Sequence, residues 1–209
     1  MTDPAVAAPR EAKPAPRGPV QARSRATRRR LLDAAIETLI AAGHARTTTG
    51  EICRRAGVSQ GALFKHFPSK GELLAATVRH LFSRLIEDFE TAFARLPDEP
   101  DRVAAALHLL RETFAQPRLL AALELYTAAR TDEALRAELA PVMAEHRENL
   151  RLAASRLFPG ARRVDAVADA VVSAVQGAAL GALVLPEPEA EAVSLAWLEE
   201  CVRRELEDG

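Results

Sequence analysis

From residue 31 the apolar positions Leu31, Leu32, Ala35, Ile36, Leu39 and Ile40 recur at intervals of three and four, the period of a helix with one buried face. Ser24 stands ahead of this run as a start signal and Gly43 ends it, so the spacing predicts a first helix between them. Thr48 followed by Glu51 reads as a capping box, and Gly57 supplies the left-handed residue that closes a second helix at Ala56. Ser59 is placed to cap a short third helix that turns Leu63 and Phe67 inward and stops at Pro68. Ser69 and Glu72 form a further capping box. It opens a long fourth helix with Leu74, Val78, Leu81, Leu85, Phe89 and Phe93 on one stripe, ending near Pro97. Beyond Pro100 helical runs are predicted over residues 101–115, 117–130, 132–158, 162–185 and 189–207, each delimited by Pro or Gly, with Pro141 expected to kink or divide the third. The reading is all-α, about nine helices and no strand. Ahead of it, residues 1–22 hold five prolines among Ala, Arg and Lys with no hydrophobic period, and a disordered basic arm is expected there.

Composition supports helices. Of 209 residues 48% are hydrophobic but only 4% aromatic, and the Ala and Leu that supply much of the apolar content suit closely packed helices better than sheets. The net charge of -1 hides a split. Residues 1–70 carry 13 Lys and Arg against 5 Asp and Glu, and residues 71–209 carry 15 against 24. A basic head on an acidic body suits a polyanionic partner for the head alone, or a solvated basic surface with no partner. Cys53 and Cys201 lie far apart, neither with a metal-ligand companion, and reduced structural thiols in a cytoplasmic protein are expected. No membrane partner is expected. The most apolar run, residues 170–185, carries Gly177-x-x-x-Gly181 but is too short to span a bilayer, holds Gln176 and follows Asp165 and Asp169.

A short helix, a glycine turn and a second short helix form a helix-turn-helix, whose second helix enters the major groove of DNA. Ile52, Ala56, Val58 and Leu63 would hold the pair together, leaving Gln60, Gly61 and Ala62 at the exposed first turn. A glycine there lets the backbone approach bases and phosphates. The Gln60 amide matches adenine N6 and N7, and Lys65 reaches a base edge or a phosphate. The run RRRLLDAAIETLIAAGHARTTTGEICRRAGVSQGALFKHFPSKGELL resembles the DNA-binding domain of TetR/AcrR-family transcriptional regulators. The resemblance rests on LLDAA, the glycine before the threonines, AGVS-x-G, the aromatic-x-HF sequence and K-x-x-LL. It implies an N-terminal three-helix DNA-binding domain over residues 23–70, with Thr48, Thr49, Ser59, Phe64, His66 and Lys70, together with Arg25, facing the phosphate backbone. Gln60, Gly61, Ala62 and Lys65 then lie nearer the bases. The family usually carries Tyr where this chain has Phe64, so the phenolic hydrogen bond to phosphate is missing. Cys53, commonly Ala in the family, reads as a small packed hydrophobe or as a redox sensor.

For residues 71–209 the resemblance implies a helical ligand-binding and dimerisation domain, with the last two helices pairing across a two-fold axis. The small residues Ala170, Ala174, Gly177, Ala178 and Gly181, and the stripe Val193, Trp197 and Cys201, fit either that interface or packing within the chain. Phe114, Leu123, Tyr126, Arg130, Met143, His146 and Gln176 are the candidate ligand-binding residues, the polar ones as anchors in an apolar cavity. No Cys/His cluster, phosphate loop or nucleophile and base pair supports catalysis, a metal or a cofactor. The combined expectation is a homodimeric regulator, a repressor released from a palindromic double-stranded DNA operator by a small, largely apolar effector. The alternatives are a basic-headed interaction module and an activator that needs no inducer.

Overall fold

The computed structural model describes residues 18–95 and 101–207; residues 1–17 of the expected arm lie outside them. Among the described residues there are nine helices and no strand. Helix α1 (Pro19–Arg46) begins inside the expected arm, because a proline fixed near φ -65° is already helical at the first position and its missing N–H would have had no acceptor there. The chain leaves the helix at Gly43, at φ 71° and ψ 171°, and resumes for one turn to Arg46. That backbone region is open in practice only to glycine.

Helices α2 (Thr49–Ala56), α3 (Gln60–His66) and α4 (Lys70–Ala94) start where the hydroxyls predict. Thr48 accepts from the Glu51 N–H at 3.2 Å, Ser59 from that of Ala62 at 3.2 Å, and Ser69 from that of Glu72 at 3.0 Å. The Glu51 carboxylate does not complete a capping box. It turns instead to Arg54 and Arg55, with contacts of 2.6 and 2.9 Å, because two guanidiniums on its own helix face outcompete one neutral N–H. They hold the Glu51 carboxyl down at about 2.

The remaining elements are α5 (Arg102–Phe114), α6 (Pro117–Ala129), α7 (Glu133–Leu157), α8 (Val164–Ala182) and α9 (Pro188–Glu207). Asp101 and Asp132 cap α5 and α7 through the N–H groups of Ala104 and Leu135, at 3.0 and 2.9 Å. Helix α7 runs through Pro141 without dividing. Helix α8 starts two residues later than its periodicity suggests, since Arg163 adopts a left-handed conformation at φ 57°.

Two apolar clusters organise the packing. Leu31, Leu32, Ala35, Ile52, Ala56, Leu63 and Phe67 belong to one, beneath α1 to α3. The other joins α4 to α9 and includes Leu81, Phe82, Leu107, Phe114, Leu125, Leu139 and Val171. Helix α4 belongs to both, through Leu73 and Ala76 on the first and Leu74, Val78, Leu81 and Leu85 on the second. Ile36, although it fits the α1 stripe, packs with Leu39 on the body cluster, so the head core is closed without it. Cys53 is buried in the head, where burial pushes its thiol above its ordinary value; this supports packing over reactivity.

Candidate nucleic-acid interface and body cavity

Helix α3 is only seven residues long, too short to stand without tertiary support. Leu63 and Phe67 anchor it in the head core, at 0% and 3% exposure. Helix α1 grips both of its partners. Arg28 lies over the Phe67 ring at 5.0 Å, and the Arg30 guanidinium donates to the carbonyl oxygens of Ala56 and Gly57. Those carbonyls end α2 and have no acceptor role inside the helix, so Arg30 fixes the turn at Gly57, itself left-handed at φ 61°. The sequence pattern did not single out Arg28 or Arg30, since their partners lie 39 and 26 or more residues away.

The turn so fixed leaves Ser59, Gln60 and Gly61 exposed, with Ala62 half-buried. A side chain added at Gly61 meets nothing closer than the Ser59 hydroxyl at 4.0 Å, so the fold itself has no need of glycine there. The Gln60 amide lies beside Gly50, where a Cβ would stand 3.5 Å from Nε2. Phe64 is 46% exposed and Lys65 is exposed beside it, while His66 and Lys70 are half-buried at the two ends of the α3 to α4 junction. Thr48 and Thr49 open α2 next to this surface, and Arg25 is exposed on α1. Arg54 and Arg55 are engaged by Glu51, which leaves Lys65 and Lys70 as the cations of the α3 region with no such carboxylate among the described residues.

In the body, residues of α4 to α9 line an inner chamber of about 140 Å³, walled by Phe82, Phe89, Leu107, Phe114, Phe158 and Val171 among others. An outer chamber of about 620 Å³ shares Phe82, Phe114, Leu119, His146, Leu150 and Val172 with it. Phe114, Leu123, Tyr126, Met143, His146 and Gln176 all line the outer chamber. Arg130 does not. It caps the C-terminus of α6 with its side chain exposed, on the solvent side of a last turn whose Ala129 still packs on the body. His146 stacks on Phe82, with centroids 3.8 Å apart and planes at 16°. Its Nδ1 is buried without a hydrogen-bond partner, and burial pulls its pKa down to about 4. Burial also pushes the Tyr126 phenol upward.

A charged cluster in the outer wall is invisible to the sequence pattern. Arg147 holds Asp169 through two nitrogens at 3.1 and 2.7 Å, and Arg151 holds the same carboxylate at 2.6 Å. The two arginines keep the Asp169 carboxyl at about 2. Their spacing of four on α7 is plain in the sequence, but nothing local links them to an acid on α8. Among the described residues no cluster of His, Cys, Asp and Glu suits a metal ion.

A capped helix pair, locked at a glycine turn by a third helix and exposing its second N-terminus, defines a helix-turn-helix DNA-binding protein. Sequence similarity narrows the class. Residues 31–77 match the bacterial regulatory proteins of the tetR family. An uncharacterized HTH-type transcriptional regulator of Mycobacterium tuberculosis (strain ATCC 25618 / H37Rv), Rv2912c, is 39% identical over 176 residues, covering 82% of this chain and 90% of that protein. The chain belongs to the tetR family and is a helix-turn-helix transcriptional regulator. The HTH-type transcriptional regulator BetI of Brucella anthropi is 36% identical over 108 residues, 51% of this chain and 56% of that protein. Among solved structures, the multidrug binding protein EbrR complexed with ethidium superposes with a TM-score of 0.63 at 25% identity, over 86% of this chain and 98% of that one. These relatives are named as regulators and binding proteins rather than enzymes.

Proposed function

We propose that the protein is a cytoplasmic homodimeric repressor, released from a palindromic DNA operator when a small, largely apolar molecule enters the body cavity. The observation that carries this reading is the course of α4. Its first residue, Lys70, adjoins the recognition helix, while Phe82, Leu85, Ile86 and Phe89 further along the same helix line the inner chamber. A rigid rod that touches both ligand and reading head converts a shift at one into a reorientation at the other. In this reading Gln60, Gly61, Ala62 and Lys65 face bases, and Thr48, Thr49, Ser59, Phe64, His66, Lys70 and Arg25 face phosphates. EbrR, with its bound ethidium, supports the cavity as a ligand site.

The dimer rests on what α8 and α9 leave bare. By length and composition α8 is apolar enough to cross a membrane, and its Val171 and Val175 are buried in the body. Its other face exposes Ala174, Gly177, Ala178 and Gly181, next to Val193 and Trp197 of α9 at 71% and 65% exposure. Neither glycine has anything within 4 Å of an added Cβ. Such a face fits a second copy of the chain, which also supplies the second reading head that a palindrome needs.

The test is selection of bound duplexes from a random pool, followed by footprinting with and without candidate effectors. A protected palindrome that is lost on adding effector supports the proposal. Protection of no defined sequence rejects the operator, and protection that every tested cavity-binding molecule leaves unchanged rejects the release.

A further inference from the structure

The two chambers differ in chemistry, and the difference specifies a ligand. In the inner wall only Thr113 and His146 carry polar side-chain atoms, and the Thr113 hydroxyl already donates to the Leu109 carbonyl at 2.9 Å. Apolar protein cavities of comparable size stay dry and take benzene, so a chamber of about 140 Å³ takes a hydrocarbon group of roughly six carbons. The outer wall is different. Arg147 and Arg151 share the single Asp169 carboxylate, and the Arg151 Nε is buried with no acceptor. A buried N–H without a partner is costly and asks for an oxygen. The other acid in that wall, Glu148, is exposed, so a cation entering the cavity meets two guanidiniums and no inward carboxylate free of them.

We propose that the cavity binds a monocarboxylate with a compact hydrocarbon body, its apolar end in the inner chamber and its carboxylate on Arg151 and Arg147. The proposal rests on the body being the effector site. The incoming carboxylate competes with Asp169 for the same guanidiniums, which are the charged links between α7 and α8 at this point. Arginine suits the exchange because its planar fork takes either carboxylate in two-point contact. His146, buried in the wall that both chambers share, presents a neutral ring rather than a second charge.

The test is calorimetric titration of the full chain without DNA, using octanoate, 4-phenylbutyrate, octan-1-ol and octylammonium below their micellar concentrations. The carboxylates bind, the alcohol binds about tenfold or more weakly for want of the charge-assisted contact, and octylammonium does not bind. Arg151→Gln and Arg147→Gln each weaken octanoate by about tenfold and leave octan-1-ol unchanged, while Arg130→Gln, outside both chambers, changes neither. Leu110→Trp, which fills the inner chamber, removes binding of acid and alcohol together. Octylammonium binding as tightly as octanoate, no binding of either carboxylate, or undiminished octanoate affinity in both arginine variants, checked as helical by circular dichroism, overturns the proposal. Gel shifts on the selected operator separate the two readings. A carboxylate that binds but does not release DNA upholds the ligand class and rejects the release mechanism instead.

Discussion

The backbone N–H of His44 donates to the Glu124 carboxylate at 3.0 Å, so a side chain on α6 caps the break in α1 from the far side of the head–body boundary. Glu124 lies next to Leu123 and two residues before Tyr126, both in the outer chamber wall. Its oxygens also crowd Gly43, where an added Cβ would stand 3.0 Å away. The contact is a second physical link between the cavity wall and the reading head, besides α4. Glu124→Ala is expected to cost only about 0.5 kcal/mol of stability, since the bond is solvent-exposed, yet to shrink the factor by which a bound effector lowers operator affinity. Gly43→Ala is expected to cost about 1–3 kcal/mol in urea denaturation, because alanine is strained in that backbone region whatever space it is given.

Gln60→Ala and Lys70→Ala separate base reading from charge neutralisation. The first is expected to relax preference at one base pair in each half-site, by roughly 1–3 kcal/mol. The second weakens all duplexes alike and lowers the slope of log affinity against log salt by about one for each phosphate no longer neutralised, hence about two for the dimer. Binding to a panel of single-base operator variants at several salt concentrations distinguishes them. The same uniform loss from both changes contradicts the assignment.

In the proposed dimer Gly177 and Gly181, one turn apart on the bare face of α8, set how close the partner helix comes. Leucine at both positions meets open space within one chain, so folding is expected to survive. In the dimer it overpacks the contact, by about 1–3 kcal/mol per site. Sedimentation of Gly177→Leu/Gly181→Leu is expected to show monomer at concentrations where the parent is dimeric, with operator affinity falling in parallel. Unchanged dimerisation assigns these glycines to some other contact.

His146 gives stability a dependence on pH. Burial against Phe82 holds its folded-state pKa near 4, below the ordinary 6.5, so as pH falls the unfolded chain takes up this proton first. The contribution is fully present above about pH 6.5 and is lost on descending toward pH 4, by up to about 3 kcal/mol. The carboxylates of Asp169 and Glu51, held at about 2, act lower, losing their contribution as pH falls from the ordinary carboxylate range toward 2. Urea melts at pH 7, 5.5 and 4.5 check this. His146→Leu is expected to flatten the upper part of the decline and leave the lower part intact.

Local signals were legible and cross-helix partners were not. Thr48, Ser59 and Ser69 announce their helices because a cap needs only its own next three residues. Gly57 and the stripe on α4 are likewise written within a few turns of chain. The Arg147, Arg151 and Asp169 cluster depends on the angle at which α7 meets α8, which no periodicity encodes. The apolar pattern of α1 marks Ile36 as inward without saying which of two cores lies beneath it. Arg130 fails for a related reason, since a polar residue at the end of a packed helix looks the same in sequence whether it anchors a ligand or faces water. Glu51 shows competition between two local rules, with the ion pair outcompeting the cap.

Leu73 and Leu74 are adjacent in sequence yet belong to different cores. Anyone exchanging the reading head for that of a relative, to redirect an effector response to a new operator, therefore meets a constraint on where to cut. A seam at Lys70, where the expected domain boundary falls, severs Leu73 and Ala76 from the head they help to close. A seam after Ala76 transfers Leu74 and Ala75 to a body not fitted to them. Chimeras in this family should work best when the incoming segment runs through Ala76 while Leu74 and Ala75 keep the recipient's identities, so that the boundary is drawn by helix face rather than by position along the chain.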